Sequence, residues 1–205
     1  MDLKITMRII LSTRNQSKIV QIAPLFSGLP LVVASLADAG IDGEAVEDGM
    51  TLGENALKKA RFAREKTDEW ALADDTGIFI DALGGAPGIH SARWAGEGKS
   101  AEEILAFVLA EISGVPLPRR TATFRTVAAL VSPDGEETVF SGSVQGVLLE
   151  RPRVPCQPQM PYSGIFLLSE FQKVWAEMRT EEENAMSHRG KAFRAAREYL
   201  ETNLV

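Results

Sequence analysis

Two adjacent acids, Asp74 and Asp75, close a short apolar run, Trp70 to Ala73, that reads as a buried strand. In an open α/β sheet the carboxyl ends of strands are where ligands sit, so a carboxylate pair there points to a hard-cation site or a general base. Asp74-Asp75-Thr76-Gly77 also suits a tight turn that caps its own amides. Beyond it, Ile78 to Leu83 is apolar, and Gly84-Gly85-Ala86-Pro87-Gly88 forces a sharp loop before Ser91, Arg93 and Trp94. A glycine-rich loop bounded by Ser and Arg lets backbone and guanidinium approach an anion closely.

A second group lies near the start. Arg8 to Ser12 reads as a strand buried on both faces, followed by Thr13-Arg14-Asn15-Gln16-Ser17-Lys18 and a helical pattern through Ile19, Ile22, Ala23 and Phe26. Strand, polar turn and helix start form a geometry that can hold phosphate on backbone amides, although the glycines of a Walker loop are missing. Thr and Asn are also ordinary helix caps. Residues 35–50 are loop-like and acidic, and Glu47 stands just before Gly49 and a helix that starts at Thr51, where Thr51 and Glu54 have capping-box spacing. On that helix Asn55 and Lys59 are four apart and share a face.

The run Ala73 to Gly77, continued by Asp81 to Gly96, resembles the signature of the inosine triphosphate pyrophosphatase family. The resemblance implies hydrolysis of deaminated purine nucleoside triphosphates to monophosphate and pyrophosphate with a divalent metal, here Mg²⁺. It implies Thr13, Asn15, Lys18, Lys59 and Thr76 at the triphosphate; Arg14, at a position often small in that family, adds a cation. Glu47 and Asp75 are the implied metal ligands, with Asp75, or water beside the ion, as the base and Asp74 in support. The implied fold is α/β: a long mixed twisted sheet flanked by helices, one domain over 1–205 with two lobes sharing the sheet and a cleft between them. A homodimer follows by analogy only.

The chain departs from the family at the base. Where the family has an aromatic residue and an Asp in Gly-Phe-Gly-Tyr-Asp-Pro, this sequence has Met160 and Ser163, and Glu183 replaces a lysine upstream of Ser187-His188-Arg189. The base-binding set is then Met160, Tyr162, Ser163, His188 and Arg189. A lost ring removes stacking that contributes on the order of 1–3 kcal/mol per base. Two other readings follow: a nucleotide-binding protein without efficient turnover, and a pyrophosphatase for another base such as a modified pyrimidine.

The elements that must position these residues are legible in outline. The helix from Thr51 to about Lys66 turns Leu52, Ala56, Ala60 and Ala63 inward. Leu31 to Ala34 gives a short strand, and 100–113 an amphipathic helix capped by Ser100. Thr121 to Ser132 reads as a strand, with a turn at Pro133-Asp134-Gly135, a return strand over Glu137 to Ser141 and further sheet to Glu150. Arg119, Arg120 and Arg125 read as surface or sheet-face charges, Phe171, Trp175 and Met178 as local core, and His188 as the start of the last helix.

The net charge of −6 offers no basic field for nucleic-acid backbone, so a phosphate-rich ligand must be met by local cations and metal. No apolar run is long enough to span a bilayer, and Met1 to Thr6 lack the pattern of a secretion signal. A single cysteine, Cys156, precludes an internal disulfide and fits a reducing cytoplasm. Nucleic acid and membrane are therefore not expected partners; a nucleoside triphosphate is.

Overall fold

The computed structural model describes residues 7–204; the first six residues, read above for a secretion signal, lie outside it. The elements begin with β1 (Met7–Leu11), α1 (Gln16–Ile22), β2 (Leu31–Ser35), α2 (Leu52–Thr67), β3 (Trp70–Ile80) and β4 (Pro87–Gly88). There follow α3 (Ala101–Glu111), β5 (Thr121–Val131), β6 (Glu137–Leu148), β7 (Phe166–Leu168), β8 (Lys173–Val174), α4 (Thr180–Met186) and α5 (His188–Leu204). Hydrogen bonding orders the strands β2-β1-β3-β5-β6-β7-β8, with β4 on β3. β1 pairs in parallel with β2 and β3, while β4, β7 and β8 pair antiparallel, so the sheet is open and mixed in an α/β fold.

The chain divides into two compact units. The first holds residues up to Asp75, then Thr126–Gly142 and Ser187 onward; the second holds Thr76–Arg125 and Ser143–Met186. β3, β5 and β6 each have residues in both.

In the first unit, the alternation of side chains along a strand decides what each helix covers. Ile9, Leu11 and Leu72 face Ile22 of α1 and Ala192, Phe193 and Ala196 of α5. Ile10, Ala71 and Ala73 face Ala56, Ala60 and Ala63 of α2. Strands covered on both faces must be apolar throughout, which is why β1 reads Ile-Ile-Leu without alternation. The alanine stripe of α2 lets that helix lie close to the sheet. Thr51 Oγ1 accepts from Glu54 N at 3.1 Å and Glu54 Oε2 from Met50 N at 2.7 Å, fixing where α2 begins.

The second unit has an aromatic core in which Phe124 and Phe166 meet edge to face at 4.8 Å, with Tyr162 and Trp175 around them. Ser100 and Glu103 close a full capping box on α3. β4 is drawn so tightly against β3 that a methyl group at Gly77 would lie 2.3 Å from Gly88 O.

Three expectations are corrected. The strand does not stop at Asp74, nor do the acids form a turn: β3 continues through both to Ile80. An acid can sit inside a strand when cations wait on the facing helices, as described below. Arg120 is buried rather than superficial, because its Nε donates to Val115 O at 2.8 Å. Phe171 is exposed, leaving the core to Trp175 and Met178.

Candidate active site

Strand parity separates the two acids. Asp74 falls on the face of Leu72, towards α1 and α5; Asp75 falls on the face of Ala71 and Ala73, towards α2. Each then meets its own cations.

Asp74 Oδ1 accepts from Lys18 Nζ of α1 at 2.9 Å, and Oδ2 from Arg189 Nε of α5 at 3.4 Å. Arg189 Nη1 donates on to Gln21 Oε1 at 2.7 Å. The Asp74 side chain is only 1% exposed. Burial alone pushes its pKa up, but Lys18, Arg189 and Lys59 outweigh that and hold it well below the usual carboxylate range, so Asp74 is anionic. Lys18 is pulled down by burial and by the neighbouring Arg189 and Lys59, with Asp74 opposing. His188, beside Arg189 at the start of α5, is buried, and loss of water together with the Arg189 charge sets its pKa well below the ordinary histidine value.

On the other face, Lys59 Nζ stands 3.1 Å from Asp75 Oδ1 and 3.5 Å from Glu47 Oε1. Burial disfavours the Lys59 charge, yet Asp75, Asp74 and Glu47 together raise its pKa above the usual lysine value. Asp75 moves the opposite way to Asp74: burial raises its pKa, helped by Glu47 and only partly offset by Lys59 and Asn55. One carboxylate of the pair is thus fixed as an anion, while its neighbour holds a proton more readily than a free Asp.

Among the residues expected at the phosphates, Lys18 and Lys59 reach this arrangement directly. Thr13 and Asn15 shape the turn that delivers Lys18: Thr13 Oγ1 accepts from Asn15 N at 3.1 Å, and Asn15 Oδ1 from Lys18 N at 3.3 Å. Arg14 turns to the 41–44 loop, donating to Ile41 O at 2.9 Å and Gly43 O at 3.3 Å. Thr76 is half-buried in the second-unit part of β3.

The residues expected at the base in the second unit are built into its interior. Tyr162 is buried; its hydroxyl donates to Ser91 O at 3.0 Å, and burial raises its pKa far above the phenol range. Ser163 Oγ donates to Met160 O at 2.7 Å and accepts from Gln157 N at 2.7 Å. Met160 is half-buried against the aromatic core, and Glu183 is buried in α4.

Two participants, Ser12 and Gln21, escaped the sequence reading. Ser12 Oγ donates to Lys59 O at 2.7 Å, tying the end of β1 to the turn of α2 that carries the lysine. Gln21 receives Arg189 as described. Asn55 and Lys59 share a face as expected, and both meet Asp75: Asn55 Nδ2 donates to Oδ2 at 3.2 Å and Lys59 Nζ to Oδ1 at 3.1 Å. Nothing in the local sequence around Ser12 and Gln21 signals such roles.

Two carboxylates bridged by one ammonium are hard oxygen donors of the kind Mg²⁺ accepts, and Mg²⁺ is commonly held by one or two carboxylates, with phosphate oxygens and water completing its shell. Among the described residues no cluster of three or more His, Cys, Asp or Glu is arranged to hold a metal ion.

The chain is similar to known proteins over most of its length. A sequence profile of the Ham1 family matches residues 9–199. A dITP/XTP pyrophosphatase of Geobacter sulfurreducens is 44% identical over 193 residues, covering 94% of this chain and 96% of that protein. One of Thermoanaerobacter pseudethanolicus is 40% identical over 194 residues, covering 95% and 96%. The solved structure of a HAM1 protein from Coxiella burnetii aligns with a TM-score of 0.85 at 31% identity, covering 96% of this chain and 99% of that one. The chain belongs to the Ham1 family.

Proposed function

We propose that this protein hydrolyses deaminated purine nucleoside triphosphates, such as dITP, ITP and XTP, to the monophosphate and pyrophosphate. The observation that carries the reading is Lys59 bridging Asp75 and Glu47, on the strand whose previous residue, Asp74, holds Lys18 and Arg189. The relatives named dITP/XTP pyrophosphatase support the substrate class.

Glu47 and Asp75 would hold Mg²⁺, which neutralises phosphate oxygens and polarises the phosphorus when bound. A carboxylate oxygen of Asp75 takes the proton of the attacking water, a task suited to an acid whose pKa is raised by burial. Water adds to the α-phosphorus as the bond to the bridging oxygen breaks, and the pyrophosphate leaves with the electron pair. Lys18 and Lys59 meet the charge growing on that leaving group. Asp74 keeps Lys18 and Arg189 oriented. A homodimer and a cytoplasmic setting belong to the same proposal; a single cysteine, which precludes an internal disulfide, fits a reducing compartment.

A second reading, turnover of another modified base, is favoured by Ser163 and Tyr162, whose hydroxyls are both engaged within the second unit. One panel separates the readings: Mg²⁺ with inosine, xanthosine, guanosine, adenosine and modified pyrimidine triphosphates, scored for pyrophosphate and orthophosphate. Pyrophosphate chiefly from inosine and xanthosine substrates supports the first reading. A preference for another base moves the assignment, and binding without product reduces the protein to a nucleotide binder.

A further inference from the structure

The loop that carries Glu47 needs something to hold it against β3, and the side chain placed to do so is Asn55. It is 1% exposed. Its Oδ1 accepts from Gly49 N at 2.8 Å, and its Nδ2 donates to Asp75 Oδ2 at 3.2 Å. The amide can point only one way: a backbone N–H must meet the oxygen, so the NH₂ is turned to the carboxylate. Gly49 is fitted to this contact, since a methyl group there would lie 2.6 Å from Asn55 Oδ1 and 2.8 Å from Glu54 Cβ. Glu47 is two residues from Gly49, and Asp75 is the other proposed ligand.

We infer that Asn55 is a positioning residue that sets the separation of Glu47 and Asp75 by clamping the Gly49 backbone to the Asp75 carboxylate. The inference rests on the proposal that these two acids hold the divalent ion. A side chain that orients a ligand through a hydrogen bond commonly contributes 10- to 100-fold to metal affinity. Asn55 spends both of its amide functions on that link, one on the loop and one on the ligand, and has no surface to offer a substrate.

The test is binding of Mn²⁺ alone, followed by the loss of the free-ion paramagnetic resonance signal, in the wild-type protein and in Glu47→Gln, Asn55→Ala and Gly49→Ala, with melting temperature recorded for each. The expected result is roughly 10- to 100-fold weaker Mn²⁺ binding in Asn55→Ala and in Gly49→Ala, which disturbs the same clamp from the opposite side. Both variants should still melt cooperatively. Wild-type affinity in folded Asn55→Ala, with Glu47→Gln weakened, overturns the inference and leaves the metal pair standing. Mn²⁺ binding that Glu47→Gln does not change overturns the pair itself and the inference with it. If Asn55→Ala does not fold, Gly49→Ala decides by the same criterion, and loss of fold in both overturns the inference by making the contact one of stability alone.

Discussion

Asp74 and Asp75 are adjacent in the chain, yet they serve opposite faces of one strand: Asp74 holds Lys18 and Arg189, while Asp75 holds Lys59 and Asn55. Chemically alike acids acquire opposite electrostatic characters, because one is outnumbered by cations and the other shares its lysine with Glu47.

That difference predicts opposite stability effects for the same substitution. Asp74→Asn removes a buried anion that neutralises buried Arg189 and half-buried Lys18, and breaking such a set costs about 3–5 kcal/mol. Asp75→Asn removes a charge that burial disfavours, so stability should stay level or rise. Both should lose turnover. Urea unfolding of the two variants checks this, and equal destabilisation would contradict the assigned environments.

His188 gives a pH dependence. Its folded pKa is depressed, so near pH 6.5 the unfolded chain takes up a proton that the folded chain refuses. Its contribution to stability is therefore complete above about pH 6.5 and lost as pH falls below that, by up to about 1.4 kcal/mol per pH unit. The expected outcome is a shallower slope of unfolding free energy between pH 7 and 5 in His188→Gln. An unchanged slope would show that His188 titrates normally.

Spacing set Lys18 near a helix start, Glu47 before a capped helix and Lys59 on one face of that helix, but it was the resemblance to a known family that pointed all three at phosphate and metal. The fold brings Lys18 to Asp74 and Lys59 beside both Asp75 and Glu47. The course of β3 could not be read, because polar residues inside a strand look like its end until the facing cations are known. The opposite faces of Asp74 and Asp75 follow from that continuation. The partners of Gln21, Asn55 and Arg120 were equally hidden, since each is chosen by a fold-level contact that no short window contains.

Lys18→Met should lower kcat about 10²- to 10³-fold, the usual loss when a group aimed at developing charge is removed. Steady-state kinetics with dITP checks this; a change confined to KM would place Lys18 in ground-state binding alone.

Tyr162→Phe deletes the hydrogen bond to Ser91 O and should cost about 1 kcal/mol of stability. The ratio of kcat/KM for XTP over GTP should not move, because the hydroxyl is turned into the second unit's core. A shifted ratio would show that the hydroxyl takes part in base recognition.

Hydrolysis in ¹⁸O-labelled water, read by ³¹P resonance or mass spectrometry, asks where the new oxygen goes. Attack at the α-phosphorus places the label in the nucleoside monophosphate and leaves pyrophosphate unlabelled, with turnover abolished in Asp75→Asn. Label in pyrophosphate or orthophosphate, or full turnover by Asp75→Asn, would contradict the assignment of this strand-borne carboxylate as the base for that attack.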